Sequence, residues 1–187
     1  MKTHTADELA GGMRELEGQT DRGLAIIATA LLEHHLAVAI EARLLPLSSK
    51  LKDNLFGSRG TLSGFQSKID MGFALGLYTK DAHRELDTIR KIRNRFAHTP
   101  IALSFHDDPE LRKLSLLLLQ QSDGTLTVKQ RESRERFLIA YLLLACLLYL
   151  TPQKEIRLGA ISELYPNLAQ EVAEVVFGAS PKTPQQA

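Results

Sequence analysis

Arg93, Asn94 and His98 are the residues of this 187-residue chain whose types and spacing come nearest to a chemical site. They lie in the run Ile89-Arg90-Lys91-Ile92-Arg93-Asn94-Arg95-Phe96-Ala97-His98. At about 100° per residue, Ala82, Leu86, Ile89, Ile92 and Phe96 fall in one apolar stripe of a helix. Arg93 projects into the same stripe, about 40° from Ile89. An arginine so placed is almost never fully buried without a partner. Either it reaches a carboxylate on a neighbouring helix, with Glu33, Glu41, Asp70 and Asp107 as candidates, or it lines a cleft or subunit interface and meets a phosphate. The spacing alone favours the ion pair. Asn94 and His98 are four apart and share a face, and His98 stands in the last helical turn, where the dipole favours a cation. A general acid/base histidine beside an arginine suits RNA cleavage. Arg90, Lys91 and Arg95 point elsewhere and read as solvated charges.

Other constellations carry less. Glu33-His34-His35 suggests a metal, yet adjacent histidines point about 100° apart and no H-E-x-x-H spacing is present. His35 is expected in the core and His34 on the surface. Gly57-Ser58-Arg59-Gly60 lacks the Walker ending and a preceding strand. The single cysteine, Cys146, lies in the apolar run Phe137 to Leu150 and reads as a small buried residue rather than a nucleophile. No nucleophile–base–acid triad is apparent. The helix after Leu75-Gly76-Leu77-Tyr78 opens with mixed charge, Lys80-Asp81-Ala82-His83-Arg84-Glu85, which suits a major-groove reader poorly. No cofactor and no metal are expected.

The elements that must position these residues are helical. Periodicity predicts a short amphipathic segment near 7–17 and a long helix from about Asp21 to Leu45, stopped by Pro46. Its inward face should carry Leu24, Ile27, Ala28, Leu31, His35, Val38, Ala39, Ala42 and Leu45, while Ile26, Leu36, Ile40 and Leu44 suggest cover on a second side. A connector spans Pro46 to Gly60. Ser63 and Gln66 have capping-box spacing for a helix from Gly64 to about Leu75, which Gly76 ends. Thr79 should cap the helix carrying Arg93, which breaks before Pro100. Asp107-Asp108-Pro109-Glu110 starts another helix running to about Gln120. An extended piece over 125–128, an apolar helix from about Glu132 to Leu150, and shorter helices near 154–164 and 167–177 follow.

The expectation is therefore all-α: a single compact bundle of about six to eight helices over 1–178, with a disordered tail at 179–187. A formal charge of +1 gives no chain-wide field for nucleic acid or membrane. The N-terminus lacks a signal-peptide core, and the longest uninterrupted apolar run is 14 residues, short of a bilayer span of about 20. These point to the cytoplasm and to no membrane role.

Leu55-Phe56-Gly57-Ser58-Arg59-Gly60-Thr61-Leu62-Ser63-Gly64-Phe65, Lys68-Ile69-Asp70, Ala74-Leu75-Gly76-Leu77, the run from Ile89 to His98, and Leu103-Ser104-Phe105 together resemble the mannitol operon repressor family. The likeness covers about Arg22 to Pro109. It implies an all-helical fold and a bacterial role in transcriptional repression of sugar-alcohol uptake. The family fold has no recognised DNA-reading element, so the resemblance implies action through a protein partner such as a phosphotransferase-system carrier rather than direct DNA binding. The stretch Arg93 to His98 also resembles the R-N-x-x-x-H pattern of HEPN domains, helical modules that often cut RNA as homodimers without metal. That likeness implies catalytic roles for Arg93 and His98, assisted by Asn94, with Leu86, Ile89 and Phe96 suited to a dimer seam or to an intrachain core. The leading expectation is a non-enzymatic, protein-binding regulator. The alternative is a HEPN-type ribonuclease, and a further one is a toxin-neutralising protein.

Overall fold

α1 (Asp21–Glu41) starts where the Thr20 hydroxyl accepts the Gly23 amide, a side-chain cap on one of the amides a helix start leaves unpaired. The computed structural model describes residues 16, 18–119 and 132–150, and the segments expected at 7–17 (apart from Leu16), 125–128, 154–164 and 167–177, with the tail at 179–187, lie outside them. Within the described residues the chain forms six helices and no strand. After α1 come α2 (Ser49–Phe56), α3 (Phe65–Ala74), α4 (Lys80–His98), α5 (Pro109–Leu117) and α6 (Ser133–Leu150). An all-α bundle is what they build: α1 packs on α3, α4 and α6, and α4 also packs on α3, α5 and α6.

α4 holds Ala82, Leu86, Ile89, Ile92 and Phe96 buried, the stripe read from its spacing. α5 starts as expected: the Asp108 carboxylate accepts the Leu111 amide at 2.8 Å, with Pro109 in the first turn. α6 is buried on nearly every side, from Phe137 through Leu148. A ring cluster joins three elements: Phe105, in the loop after α4, packs against Phe96 at 5.0 Å and Phe137 at 5.3 Å between ring centroids. Such pairs add to the area they bury.

Several boundaries and faces differ from the sequence reading. α1 ends at Glu41, four residues before Leu45, because amides of Arg43 and Leu44 bond three residues back and tighten the last turn. The expected connector contains α2, capped by Ser48 on the Leu51 amide. The capping box at Ser63 is not formed. Gly64 takes the cap position, Gln66 bonds Asp70 instead, and the Ser63 carbonyl accepts the Lys68 ammonium. Thr79 stands at the cap of α4 without a side-chain cap bond. Gly76 does end α3, with a φ of +67° that a residue with a Cβ rarely adopts. α5 stops at Leu117 rather than Gln120.

The largest correction concerns the face of α1. Leu24, Ala25, Ala28, Thr29, Leu32, Leu36, Ala39 and Ile40 are buried, whereas Leu31 and Val38, expected inside, are exposed. Of the second set, Ile26 is exposed, whereas Leu36 and Ile40 are buried and Leu44 packs partly buried against the core. When nearly every position is apolar, periodicity cannot fix the rotation, and polar contacts set it instead. Asp21 accepts from Arg134 and from the Phe105 amide, Arg22 donates to the Thr99 carbonyl, and Glu33 holds Lys68. By length and composition α1 could cross a membrane, but its buried side forms part of the bundle core.

Candidate functional site

The last three turns of α4 carry the candidate site. Arg93 is half-buried at the edge of the apolar stripe, and its Nη1 donates to Asn94 Oδ1 at 2.9 Å. No carboxylate among the described residues lies within ion-pair distance of it, so the expected structural pair is not made. Each expected partner is engaged elsewhere. Glu33 Oε1 meets the buried Lys68 Nζ at 2.6 Å, and Glu41 Oε1 meets Lys52 Nζ at 2.7 Å. Asp70 accepts from Gln66 at 3.0 Å and contacts His83 Nε2 at 3.2 Å. Asp107 accepts the Ser104 hydroxyl at 2.6 Å.

The pair expected of Arg93 is made two residues on. Arg95, read as a solvated charge, donates to the buried Asp108 at 2.7 Å and lies 3.2 Å from Glu110. The hydrogen bond from Arg95 holds the Asp108 carboxyl below the usual carboxylate range and raises the guanidinium in turn. Asp108 thus ties the start of α5 to the end of α4 while capping α5. Arg90 and Lys91 are likewise not free charges: both pair with Asp87, at 2.7 and 2.8 Å, and their hydrogen bonds outweigh burial to lower its pKa.

His98 is exposed in the last turn of α4. Five residues separate it from Arg93, which on a helix means about 140° of rotation and about 7.5 Å of rise. The structure therefore brings Arg93 and Asn94 together and leaves His98 on the outer face, about 40° from Asn94. Within one chain the arginine and the histidine do not converge on a single atom. What the arrangement offers is a guanidinium held by an amide oxygen, with unused donors suited to an anionic oxygen, and an imidazole open to solvent.

Elsewhere, His34 is exposed and His35 half-buried, their rings 5.9 Å apart. No group of three or more metal-ligating residues occurs among the described residues. Cys146 is half-buried rather than fully buried, and burial pushes its thiol up, away from the reactive thiolate.

The sequence reading missed a polar cluster where α4, α5 and α6 meet. Buried Arg136 donates from Nε to the Ser115 carbonyl at 2.9 Å, and from Nη2 to the carbonyl of Leu116 at 3.3 Å and that of Leu118. These carbonyls lie at the end of α5, where that of Ser115 also accepts the Leu118 amide. Burial pulls the Arg136 pKa down, and Glu85 opposes that. Glu85 accepts the Leu119 amide at 3.2 Å, where Leu119 turns to a φ of +60°. Burial raises the Glu85 pKa from 4.5 to about 7. Arg136, the last charged residue before the apolar run that starts at Phe137, was the available signal. The cluster joins three helices through hydrogen bonds to carbonyls at the end of one of them, which is a structural role.

No family model, no curated protein and no solved structure matches this chain.

Proposed function

We propose that the chain is a non-enzymatic bacterial regulatory module of the mannitol operon repressor type, acting from the cytoplasm in repression of sugar-alcohol uptake by binding another protein. The observation that supports this reading is the outer face of α1. Ile26, Leu31 and Val38 are 39%, 39% and 36% exposed along one helix whose other side forms the core. A run of large apolar groups left in water on a rigid element is the usual mark of a docking surface. A phosphotransferase-system carrier is a partner of the kind such a regulator would read.

A second reading, a metal-independent ribonuclease of HEPN type, is favoured by one observation. Arg93 has no carboxylate partner among the described residues, so its donors are available to a phosphate. In that reading a homodimer would bring the Arg93 and Asn94 of one subunit towards the His98 of the other.

Two assays separate them. Deleting the gene should raise expression from a sugar-alcohol uptake promoter, and unchanged expression would remove the regulatory reading. Incubating the purified protein with short RNAs in chelator tests the other. Cleavage lost in both Arg93→Ala and His98→Ala would establish the ribonuclease.

A further inference from the structure

We infer that the junction of α4, α5 and α6 is a proton-operated latch: protonated Glu85 keeps the exit of α5 closed, and ionised Glu85 lets it open while the rest of the bundle stays folded. The latch is independent of the function proposed above.

One peptide group is the part that is held. The Leu118 carbonyl accepts from Arg136 Nη2 on α6, and the Leu119 amide donates to Glu85 Oε1 on α4 at 3.2 Å. Both atoms belong to the same peptide unit, so side chains from two helices grip its two ends. The backbone turns sharply there: Leu118 is extended at a φ of −75° and a ψ of 143°, and Leu119 follows at a φ of +60°. A leucine seldom takes that left-handed conformation, which persists only where the surroundings impose it. The turn buries both leucine side chains. Little else resists opening. α5 has nine residues, and Leu116 and Leu117 in its last turn are exposed, the character of a low-stability unit.

The two grips respond differently to pH. Arg136 keeps its proton across the accessible range, and its donors are spread over the carbonyls of Ser115, Leu116 and Leu118. The half-buried Glu85 bonds the Leu119 amide, and no cation among the described residues lies within ion-pair distance of it. The charged groups that face it are Arg136 from α6 and Asp81 and Arg84 from its own helix; from the end of α5 it meets the Leu119 amide. Neither cation is committed to it, since Arg84 pairs with Asp81 and Arg136 holds carbonyls. An ionised Glu85 in the closed junction is therefore short of water and lacks a counter-ion in contact. Burial, opposed first by the Leu119 hydrogen bond, raises its pKa from 4.5 to about 7. Opening the exit of α5 returns water to the carboxylate.

The open form gains as pH rises, because it has released a proton that the closed form still holds. With Glu85 near 4.5 when open and about 7 when closed, the opening constant should rise on the order of a hundredfold between about pH 4.5 and about pH 8.5.

Hydrogen exchange of single amides, followed by NMR on the full-length protein, tests the latch. After correction for the intrinsic pH dependence of exchange, protection at Leu119 should fall on the order of a hundredfold over that range. Leu118 should follow it, because its amide bonds Ser115 in the same turn. Leu36 and Ile89, buried in α1 and α4, should stay more protected than Leu119 throughout, and exchange at Leu119 should be almost insensitive to dilute urea, as local opening requires. Glu85→Gln keeps an acceptor for the Leu119 amide and cannot ionise, so its Leu119 protection should stay flat with pH. Protection at Leu119 that does not fall in wild type would overturn the inference. So would exchange at Leu119 that matches Leu36 and Ile89, because the junction would then open only when the whole chain unfolds. A folded Glu85→Gln protein that still shows the fall would place the titrating group elsewhere and overturn it too. Should Glu85→Gln fail to fold, the wild-type comparison decides alone.

Discussion

Glu85→Gln should make the protein more stable above neutral pH. The Glu85 carboxyl sits between α4 and the end of α5, accepts the Leu119 amide, and faces Arg136 from α6, with Asp81 and Arg84 on its own helix. Burial raises its pKa to about 7 against 4.5 for the free side chain. Between those values the folded state holds a proton that the unfolded state has released, so stability falls as pH rises through that window. The contribution is fully present below about pH 4.5 and lost by about pH 7 and above. A tenfold difference in proton affinity between the folded and unfolded chain corresponds to about 1.4 kcal/mol, which puts the loss at about 3 kcal/mol. Glutamine keeps an oxygen for the Leu119 amide and cannot ionise, so the variant should lack this component. Urea unfolding from pH 4.5 to 8.5 should show wild type losing about 3 kcal/mol relative to Glu85→Gln. Parallel profiles for the two proteins would refute the reasoning.

Arg93→Ala should leave unfolding free energy within about 0.5 kcal/mol of wild type, because no carboxylate among the described residues is stranded; breaking a buried pair would cost about 3–5 kcal/mol, which the same urea titration would detect. Phe105→Ala should destabilise by about 3–5 kcal/mol by emptying the centre of the Phe96–Phe105–Phe137 cluster, read as a lower urea midpoint at unchanged slope. Gly72→Ala would place a Cβ 2.6 Å from the Tyr78 hydroxyl and 3.0 Å from Leu36, and should cost about 1–3 kcal/mol in the same assay. A Gly72→Ala protein as stable as wild type would mean that α3 and the Tyr78 loop are less closely packed than described.

α4 was legible from the sequence because its pattern is unambiguous: five apolar residues on one side and charges around the rest leave one rotation that buries carbon and wets charge. α5 was legible because Asp108 and Pro109 are strong local signals for a helix start. The start of α1 at Asp21 was legible, but its rotation was not, since apolar residues occupy almost every face and the rotation was decided by contacts to residues far along the chain, such as Asp21 to Arg134 and Glu33 to Lys68. The same applies to α2, whose start signal, Ser48, stands in a stretch with little buried surface. Arg93 and Arg95 were exchanged in role for a related reason. A helical wheel tells which direction a side chain leaves the axis, but not which neighbour waits there. Asp108 waited beside Arg95, and no acid among the described residues waited beside Arg93. Asn94 as the hydrogen-bond partner of Arg93 was within reach of local reasoning, because adjacent long and short side chains can meet at a helix surface.

A reporter fused to a sugar-alcohol uptake promoter, read in cells carrying wild type, Leu31→Glu or His98→Ala, tests the central claim most directly. Regulation by protein binding predicts that Leu31→Glu raises expression as far as deletion does while His98→Ala leaves it repressed. Full derepression by His98→Ala with Leu31→Glu silent would contradict the account and place function at the end of α4.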